Sequence, residues 1–171
     1  MIEHVHEDRR ADFPVRGRSR RAILRSIHEV TRLANIGGER YRGRVLGVTN
    51  SHLDIDVVPA KEFGGCVLRR VTVETGAVVF VPEWTGPGRL PVHLARWWEG
   101  QRELIDAHEQ GHRDITFTIG DELVAQIASV SAPADDCEEL HDRIDVLWSI
   151  ALEKHGWLQA EYDRQNPGLP F

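Results

Sequence analysis

The amino-acid sequence predicts an α+β fold with an N-terminal helix, a small antiparallel β-sheet and a long antiparallel helical hairpin. Three patterns along the 171 residues support this prediction. Apolar residues recur at three- and four-residue steps after residue 19, and short Val-rich runs follow between residues 44 and 81. Two long segments with helical periodicity then follow, at about 92–130 and about 136–164. Strands followed by paired long helices are typical of the α+β class.

The first helix has clear boundary signals. Residues 1–17 are polar, so we expect an N-terminal arm with at most a short strand at 13–15. Ser19 is a candidate N-cap, and Gly37–Gly38 is a strong stop signal. The chain is too short for two domains of ordinary size, so we expect residues 18–171 to form a single domain.

The sheet is predicted from four short segments that follow the first helix. Apolar residues at 53, 55 and 57 alternate with polar neighbours, which is the pattern of a half-buried strand. Glu74–Gly76 is a candidate hairpin turn between the last two strands, and the Pro- and Gly-rich stretch 82–91 is expected to end the sheet. The predicted strands are residues 44–48, 53–58, 67–73 and 77–81.

The two long helical segments are separated by a short linker at 131–135. Asp135 or Asp136 can cap the second helix. Gly111 and Gly120 interrupt the first, and each is less favourable in a helix than Ala by about 1 kcal/mol. Because a short connection between long helices brings them side by side, we expect an antiparallel hairpin.

Composition excludes several classes of protein. The chain carries 21 Lys and Arg against 27 Asp and Glu, for a net charge of −6. This balance argues against a nucleic-acid partner, because phosphate recognition usually requires a basic excess. No apolar run approaches the roughly 18 residues that span a bilayer, so no membrane association is expected. The first residues contain no apolar signal-peptide core, which predicts a cytoplasmic location for the sequence as it stands.

The pentapeptide from His108 to His112 has the pattern H-E-x-x-H. Side chains four residues apart lie on one face of a helix, so both imidazoles can reach one metal ion. Glu109 follows the first imidazole, where a carboxylate can take a proton from metal-activated water. The alternative is two histidines that pack without a metal. Apolar residues continue the stripe through both histidines, and buried imidazoles need polar partners, so the pattern favours a zinc site.

A hydrolytic zinc site needs a third protein ligand, and the second long helix is the natural source. If the hairpin turns near residue 133, residue 112 lies opposite about residue 154. This register favours His155, although a hydrogen-bonded core histidine is the alternative for that residue. The other candidates are Glu161 and Asp163, farther along the helix, and His141, which is the weakest because it pairs with the far end of the first helix.

Short motifs follow one another along most of the chain. They lie at Phe13–Ser19, Gly65–Val67, Val71–Val73, Val79–Trp84, His108–His112, Cys137–Leu140 and Gln159–Asp163. Through their order and spacing they resemble a bacterial family of predicted secreted zinc-dependent proteases. Among them H-E-x-x-H is chemically specific.

The resemblance implies roles for individual residues. His108 and His112 correspond to zinc ligands, and Glu109 corresponds to the general base. The pair Tyr162–Asp163 corresponds to an acidic position that the family follows with Thr-x-His-Gly, whereas this chain continues differently at 164–168. The resemblance therefore favours Asp163 as third ligand, narrowly ahead of His155 from the helix register. Tyr162 is a candidate hydrogen-bond donor to an oxyanion, with a structural role at a helix interface as the alternative.

The resemblance also implies a disulfide between Cys66 and Cys137, which correspond to cysteine positions of the family. The alternative is a pair of buried thiols in a reducing cytosol. A disulfide would agree with a secreted or periplasmic location, which is the alternative to the cytoplasmic prediction.

The expected function is zinc-dependent hydrolysis of peptide bonds in a polypeptide substrate, by a single metallopeptidase-like domain with Glu109 as general base. The strand around 78–81 is a hypothetical docking edge for an extended substrate. The alternative function is a non-catalytic zinc-binding or protein-interaction module derived from such a peptidase, since the departure at 164–168 removes the family's terminal histidine.

Overall fold

A computed structural model describes residues 1–33, 46–62, 64–130 and 133–166. Three strands and three helices in this part of the chain confirm the α+β prediction. None of the described helices is long and apolar enough to cross a membrane. In chain order the elements are β1 (Ile2–Val15), α1 (Arg20–Leu33), β2 (Val48–Glu62), β3 (Gly65–Trp84), α2 (Val92–Val130) and α3 (Cys137–Gln165).

The three strands form one sheet in the order β1-β3-β2. A two-residue connection joins β2 to β3, so these neighbouring strands are antiparallel as predicted. β1 runs parallel to β3: the Val71 N–H donates to the Met1 carbonyl at 3.0 Å, and the Thr85 N–H donates to the Val15 carbonyl at 2.9 Å. The sheet is therefore mixed, because β1 is parallel to the central strand β3 whereas β2 is antiparallel to it.

The strand boundaries differ from the sequence prediction. Residues 2–15 form β1, so the prediction of an arm with at most a short strand is wrong. The predicted turn at Glu74–Gly76 is also wrong, because these residues lie inside β3. Thr75 is buried there, and a Cβ at residue 76 would overlap the ring of His52. The burial of Thr75 and the packing of the His52 ring against Gly76 thus outweigh the local preference for a turn.

The helix ends agree closely with their sequence signals. The Ser19 Oγ accepts the Ala22 N–H at 3.2 Å, which confirms Ser19 as the cap of α1. α2 has the predicted bounds. The Asp136 Oδ1 accepts the Glu139 N–H at 2.8 Å, so Asp136 caps α3. The stop signal Gly37–Gly38 and the first two residues of the strand predicted at 44–48 lie outside the described residues.

The chain forms two compact units. The disulfide unit comprises Met1–Asp8, Ser51–Ala77 and Asp114–Tyr162, and the HExxH unit comprises Arg9–Asn50, Val78–Arg113 and Asp163–Phe171. Each unit has a hydrophobic core of its own. Buried residues of the first core include Leu53, Val71, Val73, Ile119, Leu123, Ile127 and Ile144, and those of the second include Phe13, Val15, Ile23, Ile27, Val79, Val81 and Trp98.

A disulfide joins Cys66 to Cys137 in the disulfide unit, with 5.0 Å between their Cα atoms. The backbone of Cys66 also forms two hydrogen bonds with Ala134, at 2.8 and 2.9 Å. The pairing implied by the family resemblance is thus confirmed. Ala134 is therefore held against β3 shortly before α3 begins.

The helices α2 and α3 run antiparallel in the disulfide unit, as predicted, but in a shifted register. Lys154 forms an ion pair with Glu122, and the His155 Nε2 lies 3.0 Å from the Thr116 Oγ1. The prediction that residue 112 faces about residue 154 is wrong by at least one helical turn. The physical reason is the connection: Ala134 pairs with the sheet, so the chain does not turn tightly at residue 133.

Candidate metal centre

Two imidazoles of the H-E-x-x-H motif converge on one face of α2. His108 and His112 are one helical turn apart, which stacks their side chains along the helix. Their rings meet edge to face with centroids 4.8 Å apart, and their Nε2 atoms are 3.2 Å apart. The sequence prediction that both imidazoles can reach one point is consistent with this geometry.

Asp163, near the C-terminal end of α3, brings a carboxylate to the two imidazoles. Its Oδ1 lies 3.0 Å from the His112 Nε2 and 3.4 Å from the His108 Nε2. The carboxylate is about half exposed, whereas the His112 side chain is only 12% exposed. The three residues form a group whose donor atoms all lie within 4.8 Å of one another. We call His108, His112 and Asp163 the HHD centre.

The donor set of the HHD centre fits zinc. Imidazole nitrogens and carboxylate oxygens bind zinc at about 2.0–2.2 Å, and tetrahedral angles then place neighbouring donors about 3.3–3.5 Å apart. The three separations are 3.0, 3.2 and 3.4 Å, so all three atoms can contact one ion with small adjustments. Two imidazoles and one carboxylate also leave a coordination position for water or substrate, as in catalytic zinc sites.

Glu109 is the most buried ionisable side chain of the motif, at 5% exposure. The Thr49 hydroxyl, on β2, lies 2.9 Å from both the Glu109 Oε2 and the Glu109 carbonyl oxygen. Burial raises the pKa of Glu109 to about 7, although the Thr49 hydrogen bond and the charge of His112 oppose this shift. The buried carboxyl group therefore holds a proton more readily than an exposed glutamate does.

The other predicted site residues lie elsewhere. His155 lies beside Thr116 and Gln159 in the disulfide unit, at 3.0 Å from each, which agrees with the alternative of a hydrogen-bonded histidine. His141 is exposed and pairs with Asp145 at 3.3 Å. Glu161 and Tyr162 are partly buried on α3. The structure thus brings Asp163 to the two imidazoles and places His155 beside Thr116.

The position of β3 bears on one functional hypothesis. The segment 78–81 lies in β3, which has β1 on one side and β2 on the other in the strand order. This segment therefore belongs to the central strand of the sheet, and its role as a docking edge for substrate stays a prediction.

Thr49 is a site residue that the sequence did not reveal. It lies 60 positions before Glu109, and nothing in its local sequence distinguishes it from other strand threonines. Gly47, just before β2, was also missed. A Cβ there would lie 2.8 Å from the Glu109 Cγ, so a glycine is required for this close approach.

The fold and the HHD centre define an α+β protein with a three-donor group suited to a transition-metal ion. The chain belongs to a bacterial family described as bacterial protein of unknown function (DUF922), whose model matches residues 11–168. Searches of curated proteins and of solved structures gave no match.

Proposed function

We propose that this protein is a zinc-dependent metallopeptidase in which the HHD centre holds the ion. The observation that carries the proposal is the convergence of three donor atoms, 3.0–3.4 Å apart, on the residues of an H-E-x-x-H motif and a carboxylate from a second helix. Within the motif, the buried Glu109 directly follows His108. Family resemblance to predicted secreted zinc-dependent proteases supports the same function.

Zinc held by three protein donors acts as a Lewis acid that polarises a carbonyl and lowers the pKa of water towards about 7. Glu109 is the proton carrier in our proposal. Its carboxylate accepts a proton from the water that attacks the scissile carbonyl carbon, and it then delivers a proton to the leaving amine nitrogen as the C–N bond breaks. The Thr49 hydroxyl orients the carboxylate through its contact with the Glu109 Oε2.

The role of Tyr162 as a hydrogen-bond donor to the oxyanion of the tetrahedral intermediate stays a prediction from the sequence. Tyr162 directly precedes the proposed ligand Asp163 on α3. The supporting observation is this adjacency to a ligand in the sequence.

The confirmed disulfide supports an exported location. Disulfides persist in oxidising compartments and are rare in the cytosol. We therefore favour the secreted or periplasmic alternative over the cytoplasmic one.

A second candidate function is a non-catalytic zinc-binding or interaction module. The burial of Glu109, whose carboxylate already contacts the Thr49 hydroxyl, favours it, because such a carboxylate can serve packing alone. The chain after Asp163, which departs from the family's Thr-x-His-Gly pattern, also favours it.

Zinc content and cleavage of an unfolded protein mixture, measured on the same samples, separate these functions. We expect Glu109→Gln to keep its zinc and to lose cleavage by at least about 100-fold, because general acid–base catalysis contributes that much. Glu103→Gln, an exposed glutamate on the same helix, is the matched control and should behave as wild type. His112→Gln should lose one equivalent of zinc.

The outcomes discriminate clearly. A wild-type protein that holds zinc at the HHD centre but cleaves none of a varied set of substrates would support the module. Unchanged zinc content in His108→Gln/His112→Gln would exclude the HHD centre, and with it both functions.

A further inference from the structure

A second group of metal-ligating side chains lies in the disulfide unit, apart from the H-E-x-x-H motif. His4 and His6 are two residues apart on β1, so their side chains leave the strand on the same face. Asp121, on α2, lies against them. We call His4, His6 and Asp121 the HxH group.

The donor atoms of the HxH group converge on one point. The His4 Nδ1 is 2.9 Å from the His6 Nε2 and 3.1 Å from the Asp121 Oδ1. The third separation, from the His6 Nε2 to the Asp121 Oδ1, is 3.8 Å. The longer separation joins two exposed side chains, whose ends can adjust by rotation. Donor atoms bound to one tetrahedral zinc ion lie about 3.3–3.5 Å apart, so movements of a few tenths of an ångström bring all three into contact with it.

The two imidazoles are oriented by further contacts. The His4 Nε2, on the far side of the ring, lies 3.1 Å from the hydroxyl of the buried Thr75. An oxygen partner on the second ring nitrogen is the usual arrangement for a metal-binding histidine, since it fixes the tautomer and the ring direction. The His6 ring stacks on Phe117 with centroids 5.1 Å apart and planes 6° apart.

Gly120 makes room for this arrangement. A Cβ at that position would overlap the Thr75 methyl group and would lie 3.0 Å from the His4 Nε2. The side chains of Thr75 and His4 therefore approach the backbone of α2 closely, and this packing holds His4 beside Asp121, the next residue on the helix.

The tautomer of His4 sets how the centre of the HxH group is held together. When the His4 Nε2–H donates to Thr75, the His4 Nδ1 carries a lone pair. That lone pair then faces a carboxylate oxygen at 3.1 Å and a second imidazole nitrogen at 2.9 Å. In this tautomer one shared cation can bind the three donor atoms in place of the hydrogen bonds between them.

We propose that His4, His6 and Asp121 form a second metal site, which takes a divalent first-row transition ion of the zinc class. Two imidazoles with one carboxylate suit such ions better than they suit Mg²⁺ or Ca²⁺, which prefer all-oxygen ligands. The bound ion links β1 to α2 within the disulfide unit. Because His6 and Asp121 are exposed, water fills its remaining positions and the ion exchanges from the surface.

The test is Zn²⁺ binding by equilibrium dialysis in a His108→Gln/His112→Gln background, where the HHD centre is disabled. This background should bind one equivalent of zinc. Adding His6→Gln or Asp121→Asn should weaken that binding at least tenfold. Adding His141→Gln, an exposed histidine outside both groups, should leave it unchanged.

Thermal unfolding gives an independent measurement of the same site. Zinc should raise the melting temperature of the background protein, and Asp121→Asn should abolish that increase while circular dichroism shows a folded chain. Equal zinc affinity with and without Asp121→Asn, or no zinc bound by the background protein, would overturn the second site. Both results leave the proposed peptidase unaffected, because the HHD centre is already disabled.

Discussion

At the scale of single residues, Gly47 and Thr49 define the surroundings of Glu109. A Cβ at residue 47 would lie 2.7 Å from the Ile105 Cγ2 and 2.9 Å from the Glu109 Oε1, so the position accepts only glycine without displacement. The Thr49 hydroxyl carries a single hydrogen, and it lies 2.9 Å from both the carbonyl oxygen and the Oε2 of Glu109. It therefore shares its hydrogen between the backbone and the carboxylate, and it restrains the side chain in one position.

Replacing Thr49 by Val tests this restraint. We expect Thr49→Val to lower kcat for peptide hydrolysis about tenfold, with zinc content unchanged and stability reduced by about 1 kcal/mol, the usual net worth of one hydrogen bond. Thr49→Ser keeps the hydroxyl and should restore most of the activity. Steady-state kinetics and metal analysis on the three proteins provide the measurement, and equal kcat in all of them would contradict a positioning role.

At the scale of elements, two glycines of the continuous helix α2 have different surroundings. The helix runs unbroken from Val92 to Val130, and Gly120 is buried against Thr75 rather than marking a break. Gly100, in contrast, has open space where a Cβ would point. Close packing therefore requires a glycine at residue 120, whereas no packing contact requires one at residue 100.

The two glycines should respond to Ala in opposite directions. We expect Gly100→Ala to raise the free energy of unfolding by about 0.5–1 kcal/mol through higher helix propensity. Gly120→Ala should lower it by about 1–3 kcal/mol, because the added methyl group overlaps the Thr75 side chain. Urea denaturation of both variants measures the difference. A stabilised Gly120→Ala protein would show that Thr75 moves away at little cost.

At the scale of the whole molecule, the described residues of each compact unit include a hydrophobic core and a group of metal-ligating side chains. The HExxH unit holds the HHD centre, and the disulfide unit holds the HxH group. The disulfide bond between Cys66 and Cys137 closes a loop with a sequence separation of 71 residues. A covalent link over such a long loop restricts the unfolded chain strongly, which favours the folded state.

Removing the disulfide should destabilise the protein measurably. For a sequence separation of 71 residues the chain-entropy model gives about 4 kcal/mol, and native disulfides typically contribute about 2–5 kcal/mol. We expect Cys66→Ala/Cys137→Ala to unfold at correspondingly lower urea concentration. A reductant should shift wild type towards the variant and leave the variant itself unchanged. If reduced and oxidised wild type unfold at the same midpoint, the disulfide contributes little.

Local patterns determined much of this protein. Helix periodicity and capping residues placed all three described helices, because backbone hydrogen bonds and side-chain spacing act within a few residues. The H-E-x-x-H spacing alone brings His108 and His112 together, since both lie on one helix. Turn preference misplaced the hairpin at Glu74–Gly76, because burial in the central strand outweighs it.

Only the tertiary structure decided which distant residues join these local elements. The Ala134 bridge to Cys66 sets how far α3 slides along α2, and periodicity within either helix contains no information about that register. Asp163 accordingly reaches His112, whereas the simple hairpin register favoured His155. Thr49 meets Glu109, and His4 meets Asp121, for the same reason: long-range contacts depend on how the elements pack, while the sequence specifies directly only what neighbouring residues do.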